Sequence, residues 1–584
     1  MTPTIASATV IATIVASGWL AGPSAASLLR RPDRHGRGFL EVSSWEEKEG
    51  CARLTNAGSH FTVDVEVGTP GQKFSVVADT GSNSLIVPSC LCVQAGKCSQ
   101  ATRCFVGHDR SSTFHLFLAK STRKPFEELL TFGSGQIAGV IARDTVRVGN
   151  LSTTMNDGLL LMVDKALNFN TAFEGILGLG PPQPEKEDRR QVSSMGRGDV
   201  ADEGEGVDPA SGISKDQIRD IVQKILGGAA DAAREEGRPA LTPHFGSPKA
   251  VSAAQVSRPR PGEEAPPDAD AVVVEKPPRT SSFLEQAGIG RFSMCFNQGS
   301  EGVLGLGGPP KENALRSVGM YHWGLDFRGV SVGGKTQKLQ FCSPEDMRPG
   351  QETPCGMIPD SGTTLLMGPE EQVIELLEAV CDQWERCSSN FTALQRAAEA
   401  ADKAIVKEYG LNPWELQVPP KAAVAKLLLK DCDSWMRDSE QGLGELPTLS
   451  FHVAGAADGK AQELRLSGVD YVLRLENSSS ASVCAPAFGP MDYPTQKNGP
   501  VWIMGLPLFF AYTVAYDAQA KPPTVAFTSR AEAPCGACGA KSPVGLVGAS
   551  SAVVAAGSAE RERLRHNPHV VRGEPRMPTT RGEL

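Results

Sequence analysis

Hydrophobic and polar positions alternate with a period of two over residues 60–67 (HFTVDVEV), and a Gly68-Thr69-Pro70-Gly71 turn follows. A second alternating run at 74–78 leads straight into Asp79-Thr80-Gly81-Ser82. Further short strands bounded by glycine are predicted at 129–132, 136–141, 145–148 and 175–179. The rhythm stops after Gly180. Residues 181–282 are dominated by Pro, Gly, Ala, Glu, Asp and Arg, with too little apolar surface to offset the entropy of ordering them, so a disordered insertion is predicted. One piece of it, 214–226 (SKDQIRDIVQKIL), has helical spacing behind a Ser cap.

Strand character resumes at 291–296 and 302–305, then at 321–323 and 330–334. The run 355–359 (CGMIP) enters Asp360-Ser361-Gly362-Thr363-Thr364, which repeats the theme of 79–82 at a separation suited to one copy per lobe. Residues 369–435 carry apolar positions at three-to-four spacing and are predicted helical. Strands return at 446–451 and continue to 525–527. Beyond 531 the chain is rich in Gly, Ala and Arg and is predicted unstructured; its weakly apolar stretch 544–556 reads as flexible rather than membrane-inserted.

Composition narrows this picture. A chain of 584 residues is too long for one core, since cores stop growing at roughly 250–300 residues, and two lobes plus non-globular segments are expected. A hydrophobic fraction of 40% suffices for cores, while 61 Gly and 42 Pro beside 6% aromatics point to a loop-rich β protein. The net charge of −9 argues against a nucleic-acid-binding chain, which needs a basic face. Residues 9–20 (TVIATIVASGWL) are uncharged and mostly apolar, and small residues follow at 21–26. They read as a signal peptide lacking a basic start, with an uncleaved anchor and an incidental apolar start as the other readings. Fourteen cysteines and sequons at Asn150, Asn390 and Asn477 fit the same secretory route, to the outside or to an acidic endomembrane compartment. The final Arg-Gly-Glu-Leu is only a faint match to a retention signal.

The candidate chemistry lies in the repeated triplet. One Asp-Ser/Thr-Gly is an ordinary β-turn. Two copies, each after an apolar strand and each followed by Ser or Thr, point to paired carboxylates: the Gly permits a tight turn, and the hydroxyls can bond the carboxylate oxygens.

Residues 67–82, 174–180 (EGILGLG), 358–364 (IPDSGTT), 502–505 (WIMG) and 512–517 (YTVAYD) together resemble, in order, the pepsin family of aspartic proteases. The match spans about 56–180 and 283–530. It implies an all-β dominated, bilobal pepsin-like acid protease fold with a helical insertion in the second lobe and a disordered insertion in the first. It also implies catalytic Asp79 and Asp360 around one water, supported by Thr80, Gly81, Ser82, Ser361, Gly362 and Thr363. Such a pair shares a proton, and its ionised member acts as general base while the protonated one donates to the scissile carbonyl. Protein or peptide substrates, no cofactor or metal, no membrane anchoring and a monomer are the matching expectations. The insertions and the flap look more like those of a protist enzyme than a digestive one.

Three departures stand out. The flap run has Phe132 before Gly133 and Ser134 where the family carries Tyr, and Ile86 stands where that tyrosine's Trp partner would be. An apolar contact between Phe132 and Ile86 is expected in place of the polar one. Pro359 precedes Asp360 without an amide hydrogen, and Leu506-Pro507 stands where the family often has Asp-Val. The alternative reading is a weak or inactive pepsin-fold binding protein; a scaffold role rests only on the low-complexity insertion.

The resemblance pairs Cys342 with Cys355 and Cys432 with Cys484. Cys90, Cys92, Cys98 and Cys104 are expected to form two bridges of open pairing, a metal site being the other reading. Cys381 and Cys387 can staple the helical insertion, and Cys51, Cys295, Cys535 and Cys538 stay unassigned. The expected division is a signal peptide at 1–26, a prosegment at 27–55, lobes at 56–310 and 311–530, a helical insertion at about 370–435, and a tail at 531–584. Arg30, Arg31, Arg34 and Arg37 either pair with an acidic cleft or form a solvated leader.

Overall fold

The computed structural model describes residues 49–99, 102–132, 135–167, 174–182, 272–274, 276–297, 301–319, 321–335, 337–339, 341–409, 419–456, 459–476, 482–538 and 569–571. The expected signal peptide, the arginine-rich leader, the helix expected at 214–226, Gly133 and Ser134 lie outside these residues.

Strands dominate, as the period-two pattern requires. A first large sheet passes from His115–Ala119 through Gly135–Val148, Leu151–Leu167, Leu85–Pro88, Ile176–Gly178, Gln72–Asp79, Phe61–Val67 and Gly50–Asn56. It then takes in Gly302–Leu306, Arg291–Cys295 and the late strands Tyr512–Asp517 and Thr524–Ser529, so both halves of the chain share it. A second sheet runs Ala461–Leu466, Leu449–Ala454, Leu325–Val332, Cys355–Pro359, Gly499–Met504, Leu366–Gly368, Phe488–Pro490. The inward positions of these strands make an apolar core in which Phe61 stacks on Phe296 at 3.9 Å and Trp502 on Phe341 at 6.0 Å.

The two halves repeat one arrangement. Gln72–Asp79 pairs in parallel with Ile176–Gly178, and Leu85–Pro88 returns antiparallel to the same partner. Likewise Cys355–Pro359 pairs in parallel with Gly499–Met504, and Leu366–Gly368 returns antiparallel to it. Asp79 and Asp360 therefore leave the C-terminal ends of equivalent strands.

Several elements differ from the sequence expectation. The strands expected at 136–141 and 145–148 are one strand, Gly135–Val148. Its register shifts between Ala142 and Asp144, and the buried Asp144 carboxylate accepts the Ser111 and Thr113 hydroxyls at 2.8 and 2.5 Å. The polar break in the pattern thus marks a bulge rather than an end. Tyr321-His322-Trp323 is no strand: it lies in a turn closed by Val318 N–H to Gly324 O at 2.8 Å, and Trp323 is buried for packing rather than for a pleat. The boundary expected at 55 falls inside a strand, since Gly50–Asn56 pairs with both Gly302–Leu306 and Phe61–Val67. Within the 181–282 interval, Val272–Val274 adds a parallel edge to His115–Ala119, three successive valines being strong strand formers. Of the tail, residues 531–538 carry two half-cystines, and His569–Val571 pairs in parallel with Val472–Glu476.

All fourteen cysteines are paired. The open set resolves as Cys90–Cys104 and Cys92–Cys98, and Cys342–Cys355, Cys381–Cys387 and Cys432–Cys484 form. The unassigned four pair as Cys51–Cys538 and Cys295–Cys535.

The insertion at 369–435 folds as Glu370–Gln383, Glu385–Tyr409, Lys421–Lys430 and Cys432–Asp438. Arg386 and the Trp384 indole both donate to Glu445, and Trp384 packs on Trp435 at 5.4 Å. No helix among the described residues is long and apolar enough to cross a membrane.

Candidate active site

Asp79 and Asp360 sit at the ends of their strands and are buried, at 4% and 9% exposure. Each is held the same way. The Ser82 hydroxyl donates to Asp79 Oδ2 at 2.6 Å and the Gly81 N–H to Oδ1 at 3.1 Å. The Thr363 hydroxyl donates to Asp360 Oδ2 at 2.6 Å and the Gly362 N–H to Oδ1 at 2.8 Å. One oxygen of each carboxyl thus takes a hydroxyl and the other a backbone amide.

The glycines show how closely the loops meet. A Cβ on Gly81 would lie 2.9 Å from the Asp360 carboxyl, and one on Gly362 would collide with Asp79 Oδ1. Any larger residue at either position would push the opposite carboxyl away. Behind the carboxyls the loops are cross-bonded. Thr80 N–H donates to Ser361 Oγ at 3.1 Å, and Ser361 N–H donates to Thr80 Oγ1 at 3.0 Å. The Thr80 hydroxyl goes on to Pro359 O at 3.1 Å, and the Ser361 hydroxyl to Ala78 O at 2.8 Å. All four polar groups are satisfied across the junction, in a place where an unpaired one would be costly.

Pro359 is compatible with this arrangement. Its strand pairing with Met504 is kept, and its carbonyl accepts both Thr80 Oγ1 and the buried Tyr516 hydroxyl, the latter at 3.2 Å. Burial pushes the Tyr516 hydroxyl far above the ordinary tyrosine range, so it stays a neutral donor. Leu506 and Pro507 begin a buried helical turn, Leu506–Ala511, with Leu506 N–H donating to Thr363 O at 3.0 Å.

Phe132 ends the strand Glu127–Phe132, which pairs with Gly135–Val148. Ile86 is fully buried in a separate apolar cluster with Val77, Ile137, Leu160 and Ile176, against which Phe132 and Leu130 pack. That cluster also contains the Cys92 and Cys98 half-cystines.

Two further residues come to this site whose part in it the sequence did not assign, although Tyr516 lies in the 512–517 run. Tyr516 reaches Pro359 from a strand nearly 160 positions later. His322 comes with its neighbour Trp323, whose buried indole donates to Leu179 O at 3.0 Å, while the Leu179 N–H donates to Asp79 O at 2.7 Å. Single residues brought in by tertiary contact leave no periodic or spaced signal. Only the Trp323 neighbour, a large aromatic ahead of a strand, hints that the segment is anchored.

The model of the family described as eukaryotic aspartyl protease matches residues 60–197 and 297–528. Phytepsin of Hordeum vulgare is 36% identical over 552 residues, which cover 82% of this chain and 86% of that protein. Aspartic proteinase oryzasin-1 of Oryza sativa subsp. japonica is 22% identical over 518 residues, 78% of this chain and 81% of that one. Pregnancy-associated glycoprotein 1 of Ovis aries is 39% identical over 156 residues, 25% of this chain. This chain spans only 28% to 38% of the length of the pregnancy-associated glycoproteins of Ovis aries and Bos taurus that it matches. The family match takes in both strand-loop units that carry Asp79 and Asp360, and the chain belongs to the eukaryotic aspartyl protease family.

Proposed function

We propose that the protein is an aspartic endopeptidase that hydrolyses peptide bonds of protein or peptide substrates, with Asp79 and Asp360 as its catalytic pair. The observation that carries this reading is the approach of two buried carboxyls, each held by its own hydroxyl and amide and each facing the opposite loop's glycine. Two such groups cannot readily both ionise, so they share one proton. The ionised carboxylate takes a proton from a water held between them, and the protonated one donates to the carbonyl oxygen as the water attacks. The tetrahedral intermediate then collapses with proton transfer to the leaving amine, and no covalent enzyme intermediate is formed. Ser82 and Thr363 orient the carboxyls, while Thr80 and Ser361 hold the loops in register. Phe132, packed on the cluster that holds Ile86, supports an apolar rather than a polar anchoring of the flap strand. The disulfide content fits a secretory-pathway protein working outside the cell or in an acidic endomembrane compartment, and nothing in the proposed reaction needs a second copy.

The test is cleavage of an unfolded protein substrate across acidic and neutral pH, with and without pepstatin, by the correctly processed chain and by Asp79→Asn and Asp360→Asn variants. Pepstatin-sensitive cleavage reduced at least about a thousandfold in both variants is expected, since the pair acts as a unit. Processed protein that binds peptides yet cleaves none would replace this reading with that of a pepsin-fold binding protein.

A further inference from the structure

His322 stands in the turn that precedes Leu325–Val332, and its carbonyl accepts the Gly324 N–H at 2.7 Å. The next residue holds it in place: the buried Trp323 indole donates to Leu179 O at 3.0 Å and packs against Phe292 and Tyr516. The His322 Nε2 is buried and has no hydrogen-bond partner among the described residues. Unpaired buried polar atoms are rare enough to ask for a role.

Asp79 is the charged side chain acting on the His322 ring, and the Gly81 backbone is the nearby dipole. Burial favours the neutral ring, and Asp79 and Gly81 oppose that by favouring the imidazolium. Trp323 brings no charge, and Tyr516 brings none either because burial keeps its hydroxyl protonated. The turn is docked on the strand end that carries Asp79, because Trp323 donates to Leu179 O and the Leu179 N–H donates to Asp79 O at 2.7 Å, and this brings a buried titratable imidazole to one member of the carboxyl pair.

We propose that His322 is a third titrating group of this site, which sets the charge facing Asp79 and thereby the acid limit of peptide-bond cleavage. The inference rests on the proposed function and deepens it. As pH falls and the ring takes a proton, a cation comes to face Asp79 and favours its carboxylate form. The pair then keeps its single shared proton to lower pH. Without the imidazole the second proton binds earlier, and activity fails earlier on the acid side. In this role His322 is a positioning residue, acting on the reaction through Asp79.

Two measurements on the full, processed chain test it. The first is kcat/KM against pH for wild type and His322→Gln, on a peptide without ionisable side chains. The acid limb is expected to move to higher pH by about half to one unit, with the plateau within about threefold. The second is NMR of the chain with 13C-labelled histidine, the His322 signal being the one missing from His322→Gln. Its titration midpoint is expected below the ordinary value of about 6.5, and about one unit lower again in Asp79→Asn. Superimposable acid limbs, or a midpoint unchanged by Asp79→Asn, would overturn the proposal. A wild-type chain that cleaves nothing at any pH overturns the proposed function instead, and the NMR midpoints still decide whether Asp79 acts on His322.

Discussion

At the scale of single residues, Thr80 is the clearest structural determinant of the paired carboxyls. Its hydroxyl simultaneously donates to Pro359 O and accepts from Ser361 N–H, with no solvent to replace either bond. Thr80→Val is expected to destabilise the chain by about 2–4 kcal/mol, because two buried groups lose their partner. Thr80→Ser, which removes only a methyl, is expected to cost about 1 kcal/mol. Urea denaturation of both variants decides this; equal losses would mean that packing rather than hydrogen bonding holds the junction. Ile86 makes the second residue-scale case. It is fully buried in the cluster against which Phe132 packs, so Ile86→Trp is expected to overpack the cluster and cost about 1–3 kcal/mol. Phe132→Tyr, at a half-buried position, is expected within about 0.5 kcal/mol of wild type in the same denaturation assay. The Asp, Gly and hydroxyl positions of both loops were legible in the sequence because the motif occurs twice after matching apolar runs. The contacts that bring His322 and Tyr516 to the site were not, because each reaches it from a distant segment.

At the scale of elements, the helical insertion depends on one polar junction. Burial alone would raise the Glu445 carboxyl, but hydrogen bonds from Arg386, Ser439 and Trp384 outweigh it and hold the group below the ordinary 4.5. A carboxylate whose folded value is depressed stabilises the fold fully above its unfolded value, and that contribution is lost as pH falls through the folded one. The junction should therefore stay intact above about pH 4.5 and weaken only below it. Glu445→Gln is expected to cost about 1–2 kcal/mol near neutrality, since the Arg386 guanidinium loses a charged acceptor while partly open to water. The difference in stability between wild type and variant, followed by thermal melting, should be constant above that range and shrink below it. A difference that grew on acidification would reverse the sign of the argument. The helices themselves were legible from their spacing; the Glu445 contact was not, because it joins Glu385–Tyr409 to a residue some sixty positions later.

At the scale of the whole molecule, the disulfides determine which parts of the chain remain covalently joined. Cys51–Cys538 is the bridge that joins residues before 183 to residues after 271, since every other pair lies on one side of that interval. A chain carrying a specific protease site engineered between 183 and 271, once cut, is expected to run as one species on a non-reducing denaturing gel and as two after reduction. With Cys538→Ser the cut chain should separate without reductant; two bands from the otherwise unaltered cut chain would show that this bridge does not form. Because Gly50–Asn56 and Tyr512–Asp517 lie in one sheet, the noncovalent fold also joins the two ends of the chain. The sequence by itself determined the strand-rich class, the helical insertion and the identity of the paired aspartates, because periodicity and motif duplication are local properties written into consecutive residues. Only the tertiary structure decided the partners of Cys51 and Cys295, the continuity of Gly135–Val148 through its bulge, and the docking of the His322-Trp323 turn on the strand end that carries Asp79. Those depend on which distant segments share a surface, and distance along the chain carries no record of that.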